Sequence, residues 1–172
     1  GTENTYIGYG AGKGGSGNDA YNTGIGSFAL YAITDGNSNV AMGIDVGTAL
    51  TTGDDNMLIG RQAGNTMTGT SKTILIGRSA GTAINSTDAD GTIAIGYNAG
   101  AAITDGQYNT VIGYTAADSL TTGNSTVAVG YGAAQSLTEQ LKNVAIGESA
   151  MYSLGHVDSD SNVAIGNSAM IG

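Results

Sequence analysis

The chain has 172 residues, 30 of them Gly, with no Pro, Cys or Trp, and 14 acidic against 5 basic residues for a formal charge of −9. A chain this acidic repels a phosphate backbone or an anionic membrane surface, which argues against nucleic acid and membrane contact. Zero cysteine rules out disulfide stapling and thiol chemistry, and no stretch has the apolar length of a membrane span or of a secretory leader.

Read from the start, the chain opens on Thr5-Tyr6-Ile7-Gly8, and this Ile-Gly pair, or a close variant, keeps returning. Its glycine recurs at Gly26, Gly43, Gly60, Gly77, Gly96, Gly113, Gly130, Gly147 and Gly166, in steps of 18, 17, 17, 17, 19, 17, 17, 17 and 19 residues. Asn or Thr stands four residues before it, and Ala three after it in all but one copy. Seven after it comes a large apolar residue (Ile33, Leu50, Met67, Ile84, Ile103, Leu120, Leu137, Leu154), usually followed by Thr. The whole chain 1–172 is therefore one tandem-repeat domain of ten units of about seventeen residues. The first unit, about 1–22, is looser and Gly-rich and lacks the large apolar residue, which suits a capping end. The two nineteen-residue units carry their extra residues at 85–91 and 155–161, between the large apolar residue and the next Asn or Thr.

Seventeen residues are too few for a helix pair. The apolar run before each glycine is short and β-branched, as in Val144-Ala145-Ile146, and Gly and Asn/Asp supply sharp turns around it. The expected fold is all-β: a single-stranded parallel β-solenoid of about ten coils, each with a strand, a bend, a second short strand at the Leu-Thr pair, and a turn. Coils spaced about 4.8 Å apart predict a rod roughly 48 Å long. Ile59, Ile76, Ile95, Ile112, Ile146 and Ile165 are expected to form one interior ladder and the Leu position another, with Asn stacked on Asn at a corner. Between the Ile and the position two before it lies Ala41, Leu58, Leu75, Ala94, Val111, Ala128, Ala145 or Ala164, also apolar. A coil can bury only one of these faces. The other predicts an exposed apolar stripe, and hence a homo-oligomer of cyclic symmetry.

The units Asn143-Val144-Ala145-Ile146-Gly147-Glu148-Ser149-Ala150 and Asn162-Val163-Ala164-Ile165-Gly166-Asn167-Ser168-Ala169 resemble the head repeats of trimeric autotransporter adhesins (the YadA-like head), and similar repeats occur in phage tail fibres. The resemblance spans essentially the whole chain. It implies a left-handed β-roll, a homotrimer, and adhesion to a host-surface glycan or protein ligand. It places the protein outside the cell, on a cell surface anchored through a region beyond this sequence, or on a virion tail fibre. Adhesin-head units are shorter, and the segment around Leu-Thr-Thr-Gly is the departure.

Little chemistry is legible. The single histidine, His156, lies in an insertion beside Asp158 and Asp160, where a solvated loop residue is the plain reading. Asp88-Ala89-Asp90-Gly91 begins like a calcium loop, but the acid that an EF-hand needs at its twelfth position falls on Ala99. Gly8-Tyr9-Gly10-Ala11-Gly12 lacks the lysine and helix of a phosphate-binding loop and reads as coil turns. No cofactor, metal or enzymatic activity is expected. The residue after the repeat glycine puts Arg61, Arg78, Tyr97, Tyr114 and Tyr131 in one column. That column is either a ligand-binding stripe or a ladder or intersubunit contact that supports the fold. The expected function is an adhesive, receptor-binding head or fibre segment. The alternatives are a structural segment of a phage tail fibre and an ice-binding solenoid, the latter through a Thr ladder (Thr34, Thr51, Thr68, Thr104, Thr121, Thr138).

Overall fold

A computed structural model describes residues 1–15, 17–152 and 160–171. It contains ten three-residue strands: β1 Thr5–Ile7, β2 Thr23–Ile25, β3 Val40–Met42, β4 Met57–Ile59, β5 Ile74–Ile76, β6 Ile93–Ile95, β7 Thr110–Ile112, β8 Val127–Val129, β9 Val144–Ile146 and β10 Val163–Ile165. They form one parallel sheet in sequence order, with each residue paired to its counterpart one repeat away, so Ile59 aligns with Ile76 and Ile76 with Ile95. The chain is a β-solenoid of about nine turns, with one strand per coil.

The second strand expected at the Leu-Thr pair does not form among the described residues. Successive N–H groups there converge instead of alternating sides: Thr34, Asp35 and Gly36 all donate to the Thr51 carbonyl, at 3.0, 3.1 and 3.0 Å. The segment still bonds to the next coil, but as a bend.

The repeat glycine marks the sharp corner after each strand. At Gly60 φ is +125°, and an added Cβ would sit 2.6 Å from the backbone carbonyl of Gly77 on the next coil. Neither the backbone angle nor the stacking distance leaves room for a side chain there.

The interior differs from expectation on one point. The Leu ladder is buried without exception among the described residues, from Ile33 through Leu137, as is the Ala three residues after each glycine from Ala29 through Ala150. The strand, however, turns its middle residue inward: Ala41, Leu58, Leu75, Ala94, Val111, Ala128 and Ala145 have no exposed surface. Ile59, Ile76 and Ile95 are only half-buried, and Ile112, Ile146 and Ile165 are exposed. The Ile ladder is therefore not core. The cause is room: a narrow coil lined by Ala and Leu has space for one strand residue, and alternation sends both neighbours outward.

The corner Asn ladder is present and buried. Asn39 Nδ2 donates to Asn22 Oδ1 at 3.1 Å, and Asn56 Nδ2 to Asn39 Oδ1 at 2.9 Å. Each amide also donates to a backbone carbonyl, Gly53 for Asn39 and Thr70 for Asn56. The amides thus satisfy backbone groups that the turn would otherwise strand.

At the first coil Tyr6 lies at the inward strand position. Its ring occupies the space over Gly12 and Gly24, and its hydroxyl donates to Asp19 Oδ2 at 3.0 Å. In the first long unit the extra residues form a single 3-10 turn, Thr87–Ala89, and Asp90 Oδ1 then accepts from the Ser71 N–H at 2.7 Å. Asp160 Oδ1 takes the Leu141 N–H in the same way. The rest of the second insertion, with His156 and Asp158, lies outside the described residues.

Candidate functional site

The outward sheet face is the most distinctive surface of the molecule. Each strand sets two side chains on it, and together they form two parallel columns. One runs Val40, Met57, Ile74, Ile93, then on to Val127, Val144 and Val163, with Thr at β1, β2 and β7. The other is the Ile column, with Met42 and Val129 as variants. Most of these side chains are half-buried, because neighbours in the same column cover their flanks. The exposed members include Met42, Met57, Ile112, Ile146, Val163 and Ile165. The face carries no charged residue.

Exposed columns border it on both sides. On one margin stands the residue after the repeat glycine. There Tyr97 stacks on Tyr114 with ring centroids 4.9 Å apart, and Tyr114 on Tyr131 at 5.6 Å. The Arg78 guanidinium lies over the Tyr97 ring at 5.8 Å, and Arg61 continues the column one coil earlier. All five sequence-selected residues therefore share one margin. Their geometry narrows what they can do. The tyrosines spend their ring faces on each other, so the column offers edges and hydroxyls outward and no flat aromatic platform.

The opposite margin was not picked out from the sequence. It consists of the residue just before the buried Asn/Thr, held at positive φ in every non-glycine copy: Glu3, Tyr21, Ser38, Asp55, Lys72, Tyr108, Ser125, Lys142 and Ser161. Each of these is exposed.

The other candidate features are structural. Thr34, Thr51, Thr68, Thr104 and Thr121 of the Thr ladder spend their hydroxyl protons on the next coil: Thr51 Oγ1 donates to the Thr68 carbonyl at 2.9 Å and Thr121 Oγ1 to that of Thr138 at 3.0 Å. Gly12 and Gly14 donate their N–H groups to the carbonyls of Ala29 and Tyr31, so the glycine-rich first coil holds no phosphate cradle there. Asp90 uses one carboxylate oxygen on the backbone of the preceding coil. Among the described residues there is no cluster of three or more His, Cys, Asp or Glu side chains placed to hold a metal ion, and no helix is long and apolar enough to cross a membrane.

A sequence signal for the true orientation of the strand did exist. Where the strand's middle residue is large, glycine stands next to it in space: a Cβ on Gly64 would meet Leu75 Cδ1 at 3.0 Å, and one on Gly81 would meet Leu75 Cδ2 at 2.8 Å. Where the strand holds Gly24 or Ala145, the partner position holds Leu30 or Met151, both buried. Such size compensation belongs to an interior.

No family model, curated protein or solved structure matches this chain.

Proposed function

We propose that this chain is a non-enzymatic segment of a surface-exposed adhesive fibre, in which three copies pack their sheet faces about a common axis and present their outer corners to a glycan or protein ligand. One observation carries this reading: the uncharged, apolar outward face runs the full length of a strongly acidic rod. Contiguous apolar surface of that extent marks an interaction site on a soluble protein. Ten strands about 4.8 Å apart and a face about 20 Å wide between its margins give roughly 850 Å² per chain, divided in a trimer between two neighbours, against the ~800 Å² per partner of a standard two-body interface.

The resemblance of the Asn-Val-Ala-Ile-Gly units to adhesin-head repeats supports the trimer and the extracellular setting, on a cell surface or a virion tail fibre. The bonding of the Thr ladder favours a fibre over an ice-binding plane, since its hydroxyl protons are already committed between coils.

The test is solution mass by light scattering on a size-exclusion column, followed by binding to a glycan array. A mass of about 51 kDa, three times the 17.0 kDa chain, is expected. A mass of 17.0 kDa overturns the assembly. An assembled protein that binds neither glycans nor host-cell surfaces overturns the adhesive role and leaves a spacer.

A further inference from the structure

The two margins of the sheet face differ in charge, and they differ in a complementary way. On the fourth coil one margin carries Arg61 and the other Asp55; on the ninth, one carries Glu148 and the other Lys142. All four are exposed, and none forms an ion pair within the chain among the described residues. They cannot pair with each other inside one chain. The two margins of a coil are six residues of largely extended backbone apart, roughly 20 Å.

We propose that the margin bearing Arg61 and Glu148 meets the opposite margin of a neighbouring copy at the same coil level, with Arg61 paired to Asp55 and Glu148 to Lys142 across each seam. This rests on the proposal above that copies pack through the sheet face, and it deepens it by fixing direction and register. Rotation about an axis along the rod brings the first margin of one chain against the second margin of the next, with no shift in height. Both ion pairs then form at once. Packing with the rods antiparallel would bring like margins together, coil four against coil seven and coil nine against coil two, so Arg61 would face Tyr114 and Glu148 would face Ser27, and neither ion pair would form. The like-charged pair on the fifth coil, Arg78 and Lys72, does not meet head to head. Arg78 leans over Tyr97 toward the sixth coil, where the opposing margin is Gly91. The tyrosine column thus becomes part of the seam, and opposite charges set the direction and register of association.

The absence of native cysteine makes the test clean. Solution mass of the unsubstituted protein is measured first. The double variant Asp55→Cys/Arg61→Cys is then treated with a short bis-maleimide and run on a denaturing gel. An Arg–Asp pair can hold its Cα atoms beyond the ~7 Å that a disulfide tolerates, so a short thiol-to-thiol linker is used, which spans the seam and not the roughly 20 Å between the two margins of one coil. A closed covalent ring of three chains is expected, with no ring from either single variant. Lys142→Cys/Glu148→Cys is the second, independent pair and decides the matter if the first pair perturbs folding. Asp55→Cys/Glu148→Cys, five coils out of level, is expected to stay uncrosslinked. An oligomeric protein in which neither level pair crosslinks, or in which the unlevel pair crosslinks equally well, overturns the seam and leaves the apolar-face assembly standing. A monomeric protein overturns both.

Discussion

Asn143 Nδ2 and Thr126 Oγ1 are consecutive members of the buried corner ladder, and neither has a hydrogen-bond partner among the described residues. Thr126 accepts Asn109's help only through its backbone, its N–H donating to Asn109 Oδ1 at 2.8 Å, and its short side chain offers no amide oxygen to the coil above. By contrast, Asn39 Oδ1 receives both the backbone N–H and the side-chain amide of Asn56.

Thr126→Asn is therefore expected to stabilise the fold. It supplies the missing Oδ1 and repairs a defect whose two buried, unsatisfied atoms cost about 1–3 kcal/mol each at most. A gain of roughly 1 kcal/mol in urea unfolding is the expected outcome. Asn39→Ala tests the intact ladder in the other direction, with a loss of about 2–3 kcal/mol.

That ladder, the parallel one-repeat pairing and the buried Leu column were all legible in the sequence, because each recurs at a fixed distance from the glycine. The facing of the strand was not. Ile59 and Leu58 are both apolar, so hydrophobicity alone does not say which is inside; the decision lies in volume, through Gly64 and Gly81 beside Leu75. The Arg61–Tyr131 column was found because its residues are unusual. Its opposite margin was missed because Ser38, Asp55 and Ser125 look like ordinary turn residues, and only the folded coil shows that they line the same face.

The reversed facing has a direct test. Leu75→Ala removes a fully buried side chain and should destabilise the fold by about 2–5 kcal/mol. Ile76→Lys, one residue on, places its charge on the outward face. It should leave the monomer folded by circular dichroism and reduce the mass seen by light scattering to that of one chain. A large loss of stability at Ile76 with little at Leu75 would restore the Ile ladder to the core.

The corner glycines predict a sharper contrast. Gly60→Ala combines a positive φ with a clash against the next coil's backbone, and should cost roughly 3 kcal/mol or more. Gly69→Ala is the control. Its added Cβ would meet only side-chain atoms of Thr52 and Thr87, at 3.1 and 3.0 Å, and urea melts should show a much smaller loss.

Tyr6 makes the first coil sensitive to alkali. Burial, the hydrogen bond to Asp19 and the charge of that carboxylate hold its phenol well above the usual tyrosine range. The neutral phenol is the form the fold favours, so its contribution is complete below about pH 10. Above that, the unfolded chain releases a proton that the folded chain retains, and stability falls as pH rises. In a tyrosinate absorbance titration of the nine tyrosines, Tyr6 should ionise last. Tyr6→Phe should remove that late step and flatten the alkaline loss of stability.

The one-strand coil also dictates how the rod answers to force. Its backbone hydrogen bonds join coil to coil along the rod, so a pull on the two ends loads them a single coil at a time, by peeling and not by shear. Each seventeen-residue coil that lets go lengthens from about 4.8 Å to nearly 58 Å of extended chain, a gain of roughly 50 Å. A lone rod held at its ends is thus a stack of equal, sequentially released tethers, and neighbours bonded along its flank would turn that compliance into stiffness.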